Sequence, residues 1–280
     1  MVGHRTFVGA LAAVLALTTG AAQAQPAPAP TPPMATPMPK MDGYLTKAEV
    51  PNVIQILPAP PAPGSLQAKF DEETYAKTRA LAGGERYALA ARDAVQYLQE
   101  FECPLGLKFA DWPKPVVALM GRLARDASSV TNMAKDHFQR PRPFIAPNGP
   151  ICTESDRASL MKQYSYPSGH ATFSWTMALT LAEMVPDRAT DILARSRAFG
   201  ESRVVCGVHT VSDITEGRTN ASSLVAVLHS KPEFRTDVEA AGKALRAALA
   251  APHAAPDAGQ CRIEADAEAH TPWANPTSTK

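Results

Sequence analysis

The chain runs to 280 residues, with 28 Lys and Arg set against 27 Asp and Glu, a formal net charge of +1 at pH 7. That balance creates no broad positive field, so nothing in it points to a nucleic-acid partner or to general attraction to anionic membranes. Beyond the first two dozen residues no run approaches the roughly 18 consecutive apolar residues of a spanning helix, and there is no internal repeat or heptad array.

At the N-terminus His4 and Arg5 precede an uncharged apolar run at 7–18 and then Ala22-Gln23-Ala24. A short basic region, a short apolar core and a small-x-small site read as an export signal, residues 1–24, cleaved after Ala24. Residues 25–43 are dominated by Pro, Ala, Thr and Met, which cannot pack a core and favour extended polyproline conformations; they read as a disordered tether. A second Pro-rich stretch, 58–64, is expected to lie along the surface of the folded domain. That domain is placed at 44–250, long enough for one sizeable core, with a loosely ordered tail at 251–280.

Helical spacing and composition predict helices over 72–82 and 85–100. The next spans 113–138, where Val116, Leu119, Met120, Leu123, Ala127, Val130 and Ala134 form a wide apolar stripe. Arg140-Pro141-Arg142-Pro143 must end it, because each proline restricts the residue before it. Further helices follow at 171–185, 187–200, 209–229 and 231–250. Alternating strand patterns are scarce, so the fold class is an all-α, single-domain bundle.

The four cysteines are Cys103, Cys152, Cys206 and Cys261. An even number in an exported chain points to two disulfides. Three pairings are possible and the spacing does not choose among them. The pairing carried forward is Cys152 with Cys206, bracing the site, and Cys103 with Cys261, tying down the tail. No two cysteines lie close enough along the chain to suggest a metal site.

Three short stretches carry the chemistry. In Pro167-Ser168-Gly169-His170, Ser168 stands as an N-cap and Gly169 lets backbone approach a ligand, so free amides and the positive helix end form an anion site. Alone, the tetrapeptide is better read as an ordinary capped helix. His209 and Asp213 are four apart at a helix start and share a face; a carboxylate on Nδ1 would leave Nε2 free as a nucleophile. The bland alternative is a surface pair worth a few tenths of a kcal/mol, and a zinc pair lacks an evident third ligand. Lys135, Arg142 and Arg203 supply cations suited to phosphate oxygens, although each singly reads as a solvated surface charge. Arg140 also precedes a proline, but the residue seven before it is Met133 rather than a cation, and it is set aside.

Lys135-x6-Arg142-Pro143, then Pro167-Ser168-Gly169-His170, then Ser202-Arg203-x5-His209-x3-Asp213 resembles the signature of the type 2 phosphatidic acid phosphatase (PAP2) superfamily. The flanking residues, Ser165-Tyr166 and Gly200-Glu201, look most like the bacterial class A non-specific acid phosphatases. The resemblance spans about 44–250. It implies an all-helical fold and broad hydrolysis of phosphate monoesters (nucleotides, sugar or aryl phosphates). It also implies a phosphohistidine on His209 with Asp213 orienting it, and His170 protonating the leaving alcohol. Lys135, Arg142, Ser168, Gly169 and Arg203 would hold the phosphate, with no metal or cofactor required. A phosphoenzyme can be intercepted, so phosphate transfer to other alcohols is expected; the export signal implies a periplasmic or secreted location, and the likeness implies a homodimer. Thr210 stands where relatives usually carry Trp, and Ala171 where Thr is common; both are expected to bear on specificity or the shape of the mouth. Competing readings on the same motifs are a vanadium-dependent haloperoxidase, a diphosphate or lipid-headgroup phosphatase, and a non-catalytic phosphate-binding protein.

Overall fold

The computed structural model describes Met1, Gly3 and residues 41–274. The expected signal and tether therefore lie outside the described residues, but for Met1, Gly3 and 41–43. The described residues are helical and contain no strand: α1 (Val53–Ile56), α2 (Leu66–Arg79), α3 (Glu85–Asp93), α4 (Glu102–Leu105), α5 (Lys114–Phe138), α6 (Arg157–Leu160), α7 (Gly169–Met184), α8 (Ala189–Val205), α9 (Val211–Leu228), α10 (Pro232–Ala250) and α11 (Ala258–Ala269).

The centre of the bundle is α7, which packs against α5, α8, α9 and α10. A helix covered on every side cannot be amphipathic, and α7 is apolar or small almost throughout. Its buried threonine hydroxyls are satisfied along the helix itself, while buried Ser174 reaches Glu100 and Ser196. Thr172, Thr176 and Thr180 each donate to the carbonyl four residues earlier, at 3.1, 2.8 and 3.0 Å. An unsatisfied buried hydroxyl would cost about 1–3 kcal/mol, so this ladder lets threonine serve as core. Helix α9 comes unusually close: a Cβ on Gly217 would lie 2.8 Å from Cβ of Ala171 and 2.9 Å from the Ser168 carbonyl. Glycine there allows the N-terminus of α7 to rest on α9, and Ser168 N–H donates to the Asp213 carbonyl at 2.9 Å.

The apolar stripe of α5 joins α7, α10 and the 98–107 segment in the largest core cluster. Two differences from the expected helices have clear causes. The helix expected over 85–100 stops at Asp93, followed by a separate 3-10 turn at Leu98–Phe101. Asp93 turns inward to the fully buried Arg195, whose Nη2 lies 2.5 Å from Oδ1. That pair, 102 residues apart in sequence, anchors the end of α3.

The second difference is the tail. Expected to be loosely ordered, it carries α11 against α3 and α8. Cys261 pairs with Cys103, and Glu264 is buried, with Oε1 2.9 Å from Arg92 Nη2 and Oε2 3.1 Å from Arg195 Nε. The cross-link and these charges order a segment whose apolar content alone would not. The other disulfide joins Cys152 to Cys206, so both bonds follow the pairing carried forward. No described helix is long and apolar enough to cross a membrane.

Candidate active site

The end of α5, the start of α7 and the α8–α9 connection meet around a cavity of about 270 Å³. Its wall includes Lys135, Arg142, Gly169, His170 and Arg203, with Tyr97 and Phe173 on the aromatic side. Segments as far apart as Lys135 and Arg203 thus converge. His209 lies just behind the wall, 1% exposed.

The connection that delivers His209 is tightly built. Helix α8 ends at Val205, and Gly207 turns the chain at φ +86°, a conformation glycine adopts without penalty. A Cβ there would strike Arg79 Nη1 at 2.2 Å and the Pro150 carbonyl at 2.8 Å. Arg79 Nη2 caps the end of α8 by donating to the Val205 carbonyl at 2.7 Å. The Cys152–Cys206 bond holds the same turn against the 150–152 segment.

His209 Nδ1 lies 3.2 Å from Asp213 Oδ2, and Arg142 Nη1 lies 3.1 Å from His209 Nε2. A guanidinium can only donate. Nε2 is therefore an acceptor with its lone pair toward Arg142, and the ring proton sits on Nδ1, facing the carboxylate. Burial, then Arg142, Lys135 and Arg203, hold the His209 pKa well below the usual imidazole value, so the ring stays neutral into acid solution. Asp213, fully buried, is pushed up by burial and opposed by Arg140 and the Thr210 N–H. That N–H donates to Oδ2 at 2.9 Å, placing the carboxylate at the positive end of α9.

The cations are buried and under-used. Arg203 is 2% exposed, and its Nε and Nη1 have no hydrogen-bond partner among the described residues; Nε of Arg142, 4% exposed, has none either. Burial and the neighbouring Arg203 bring Arg142 down to about 10, and burial brings Arg203 to about 10, both still charged near neutral pH. Lys135 donates to the Tyr164 carbonyl at 2.7 Å; burial, then Arg142, push its pKa down to about 7. Leaving donors of a buried cation unpaired is costly, so this group of charges suits an anion.

Ser168 caps α7, its Oγ accepting from Ala171 N–H at 3.3 Å while its hydroxyl proton stays available. The amides of Gly169 and His170 have no partner among the described residues. His170 stacks on Tyr97, centroids 4.9 Å apart, and its Nε2 lies 3.2 Å from the Ala94 carbonyl. Since a carbonyl only accepts, Nε2 carries the proton and Nδ1 is the nitrogen left over. Burial, then Arg203, lower the His170 pKa well below the usual value. Among the described residues no three His, Cys, Asp or Glu side chains gather to hold a metal ion.

Two residues set aside or unnoticed in the sequence are part of this centre. Arg140 donates to Asp213 Oδ1 at 2.8 Å, and Asp71 of α2 accepts from Arg140 Nη2 at 3.1 Å. A second arginine directly before a proline was the available signal for Arg140; Asp71 has none, being the first of three consecutive acids, Asp71-Glu72-Glu73, in a polar helix. The two departures, Thr210 and Ala171, are buried and do not line the cavity. Ala171 packs beside Gly217 of α9, and Thr210 stands just before α9 with its hydroxyl accepting from Arg140 at 2.9 Å.

Residues 116–237 match the PAP2 superfamily. An acid phosphatase of Zymomonas mobilis is 42% identical over 75% of this chain and 81% of its own length. Non-specific acid phosphatases of Providencia stuartii and Salmonella typhi are 36% and 35% identical, covering 71% and 64% of this chain and 82% and 74% of their own. The chain belongs to the PAP2 superfamily. Within it, these relatives carry the acid phosphatase name.

Proposed function

We propose that this acid phosphatase of the PAP2 superfamily hydrolyses phosphate monoesters through a phosphohistidine on His209, without a metal ion. The observation that carries the reading is the lone pair of His209 Nε2, fixed by Asp213 on one side and touching Arg142 on the other. An ester bound in the cavity places its phosphate oxygens on Lys135, Arg142, Arg203, the Ser168 hydroxyl and the Gly169 and His170 amides. Arg142 Nη1, still held on the Val208 carbonyl, exchanges His209 Nε2 for a phosphate oxygen, and Nε2 attacks phosphorus. The N–P bond forms as the ester P–O bond breaks. His170, protonated at acid pH, gives the Nδ1 proton to the departing oxygen, and Asp213 stabilises the imidazolium that His209 becomes. In the second half, water attacks phosphorus, His170 takes a proton from it, and the N–P bond breaks to release phosphate and restore neutral His209. Phosphoryl transfer depends on positioning and charge stabilisation, which three fixed cations and a helix N-terminus supply.

Broad specificity and phosphate transfer to other alcohols belong to the same reading, because the groups assigned here hold phosphate rather than the leaving group. Export to the periplasm or beyond is proposed from the N-terminal signal, and two disulfides suit an oxidising compartment. A panel of nucleotides, sugar phosphates, aryl phosphates and pyrophosphate, run with chelator, tests it. Turnover of several monoesters at undiminished rate in chelator is expected; activity that vanishes with chelator and returns with one metal would overturn metal independence.

A further inference from the structure

Asp213 has two oxygens to keep in place. Oδ2 receives Thr210 N–H at 2.9 Å and faces His209 Nδ1. Oδ1 receives Arg140 Nη1 at 2.8 Å, with the Ser165 hydroxyl at a longer 3.4 Å. Arg140 Nη1 also reaches the Thr210 and Ser212 hydroxyls, at 2.9 and 2.7 Å. On its other side Nη2 is 3.1 Å from Asp71 Oδ2. Asp71, 1% exposed, also receives Ser212 N–H on Oδ1 at 2.9 Å and the Ser212 hydroxyl on Oδ2. One guanidinium thus bridges two buried carboxylates from α2 and α9. Arg140 is absent from the cavity wall, so it does not share the cradle's work on phosphate.

We propose that Arg140, held by Asp71, is the positioning residue that fixes Asp213 and through it the reactive orientation of His209. The inference rests on His209 being the nucleophile. Without Arg140, Oδ1 of a fully buried carboxylate would keep only the long Ser165 contact. Its charge would be poorly met, and the group would rotate or take a proton. Either change weakens the acceptor that Nδ1–H needs, and the ring is freed to turn. Asp71 matters because arginine is long and has many rotamers; a second carboxylate on Nη2 removes that freedom.

The test is rapid-quench measurement of phosphoenzyme formation from a radiolabelled aryl phosphate, alongside inhibition by inorganic phosphate. Arg140→Gln should slow formation by about 10- to 100-fold, the range for small misplacement of a reacting group, while the phosphate inhibition constant shifts less than about threefold. Arg140→Lys, keeping the charge but not the fork, should fall between Arg140→Gln and wild type. Asp71→Asn should slow the same step with phosphate inhibition again preserved. Wild-type formation rates in both Arg140→Gln and Asp71→Asn would overturn the proposal. So would phosphate affinity falling in step with rate in every variant, since that marks a damaged cradle or fold. A wild-type enzyme that turns over with no phosphoenzyme would instead sink the nucleophile reading itself, an outcome distinct from failure of Arg140 alone.

Discussion

Nη1 of Arg142 lies 3.1 Å from Nε2 of His209, so the anion cradle and the candidate nucleophile are in direct contact. The same Nη1 donates to the Val208 carbonyl at 3.0 Å. Arg142 is therefore tied to the backbone beside the histidine it faces, and the pair arrives as a unit.

Removing the imidazole should separate chemistry from binding. His209→Ala is expected to lower kcat by about 10⁴-fold, the scale seen when a member of a nucleophilic relay is lost, with phosphate inhibition retained within a few-fold. Steady-state kinetics on an aryl phosphate reads the first quantity and competitive inhibition the second. Asp213→Asn keeps the shape but loses the anion that orients Nδ1–H, and kcat should again fall steeply.

The pKa directions set the pH dependence. His209 is held well below the usual imidazole value, so falling pH leaves it neutral and nucleophilic longer than a free histidine. His170 is lowered too, so its acid form is populated only toward acid pH, aided by the dianion that binds beside it. Lys135, pushed down to about 7, loses its charge as pH rises through neutrality. All three directions place the optimum on the acid side, with kcat/KM falling above about pH 7. A flat profile from about pH 5 to 9 would argue against these roles.

Tetrahedral oxyanions should occupy the cradle. Vanadate and molybdate are expected to inhibit competitively, and Arg203→Ala should weaken that inhibition, since two of its donors have no partner among the described residues. If vanadate with bromide and peroxide instead produced halogenation, the haloperoxidase reading would take over.

The Cys103–Cys261 bond closes the longer of the two disulfide loops, residues 158 apart in sequence. On the chain-entropy estimate a loop of that size is worth about 5 kcal/mol. A double Cys103→Ser, Cys261→Ser variant should therefore melt roughly 10–20 °C lower, with KM unchanged because α11 does not line the cavity. Thermal denaturation at one scan rate reads the loss; unaltered melting would mean that Glu264 and its arginines suffice to hold the tail.

Much of the centre is visible in the sequence because its spacing is local. His209 and Asp213 share a helix face, Ser168 is a cap, and Lys135 and Arg142 flank one helix end. Contacts between distant segments are not visible in that way. Arg140 looks like a neighbour of the motif until Asp71 and Asp213 meet it, and Asp93 reads as helix interior until Arg195 pulls it inward. The ordered tail had one signal, Cys261, and a composition that argued against it. Thr210 and Ala171 stand inside or beside motifs, yet both are buried outside the cavity wall. Residue type alone does not reveal which side of a wall a side chain occupies.

The most direct measurement is to mix enzyme with an aryl phosphate, quench in alkali, which preserves phosphohistidine, and map the modified peptide by mass spectrometry. Phosphate is expected on His209, transiently in the wild type and not at all in His209→Ala. Rapid turnover with His209 unmodified at every time point, or a fully active His209→Ala, would contradict it.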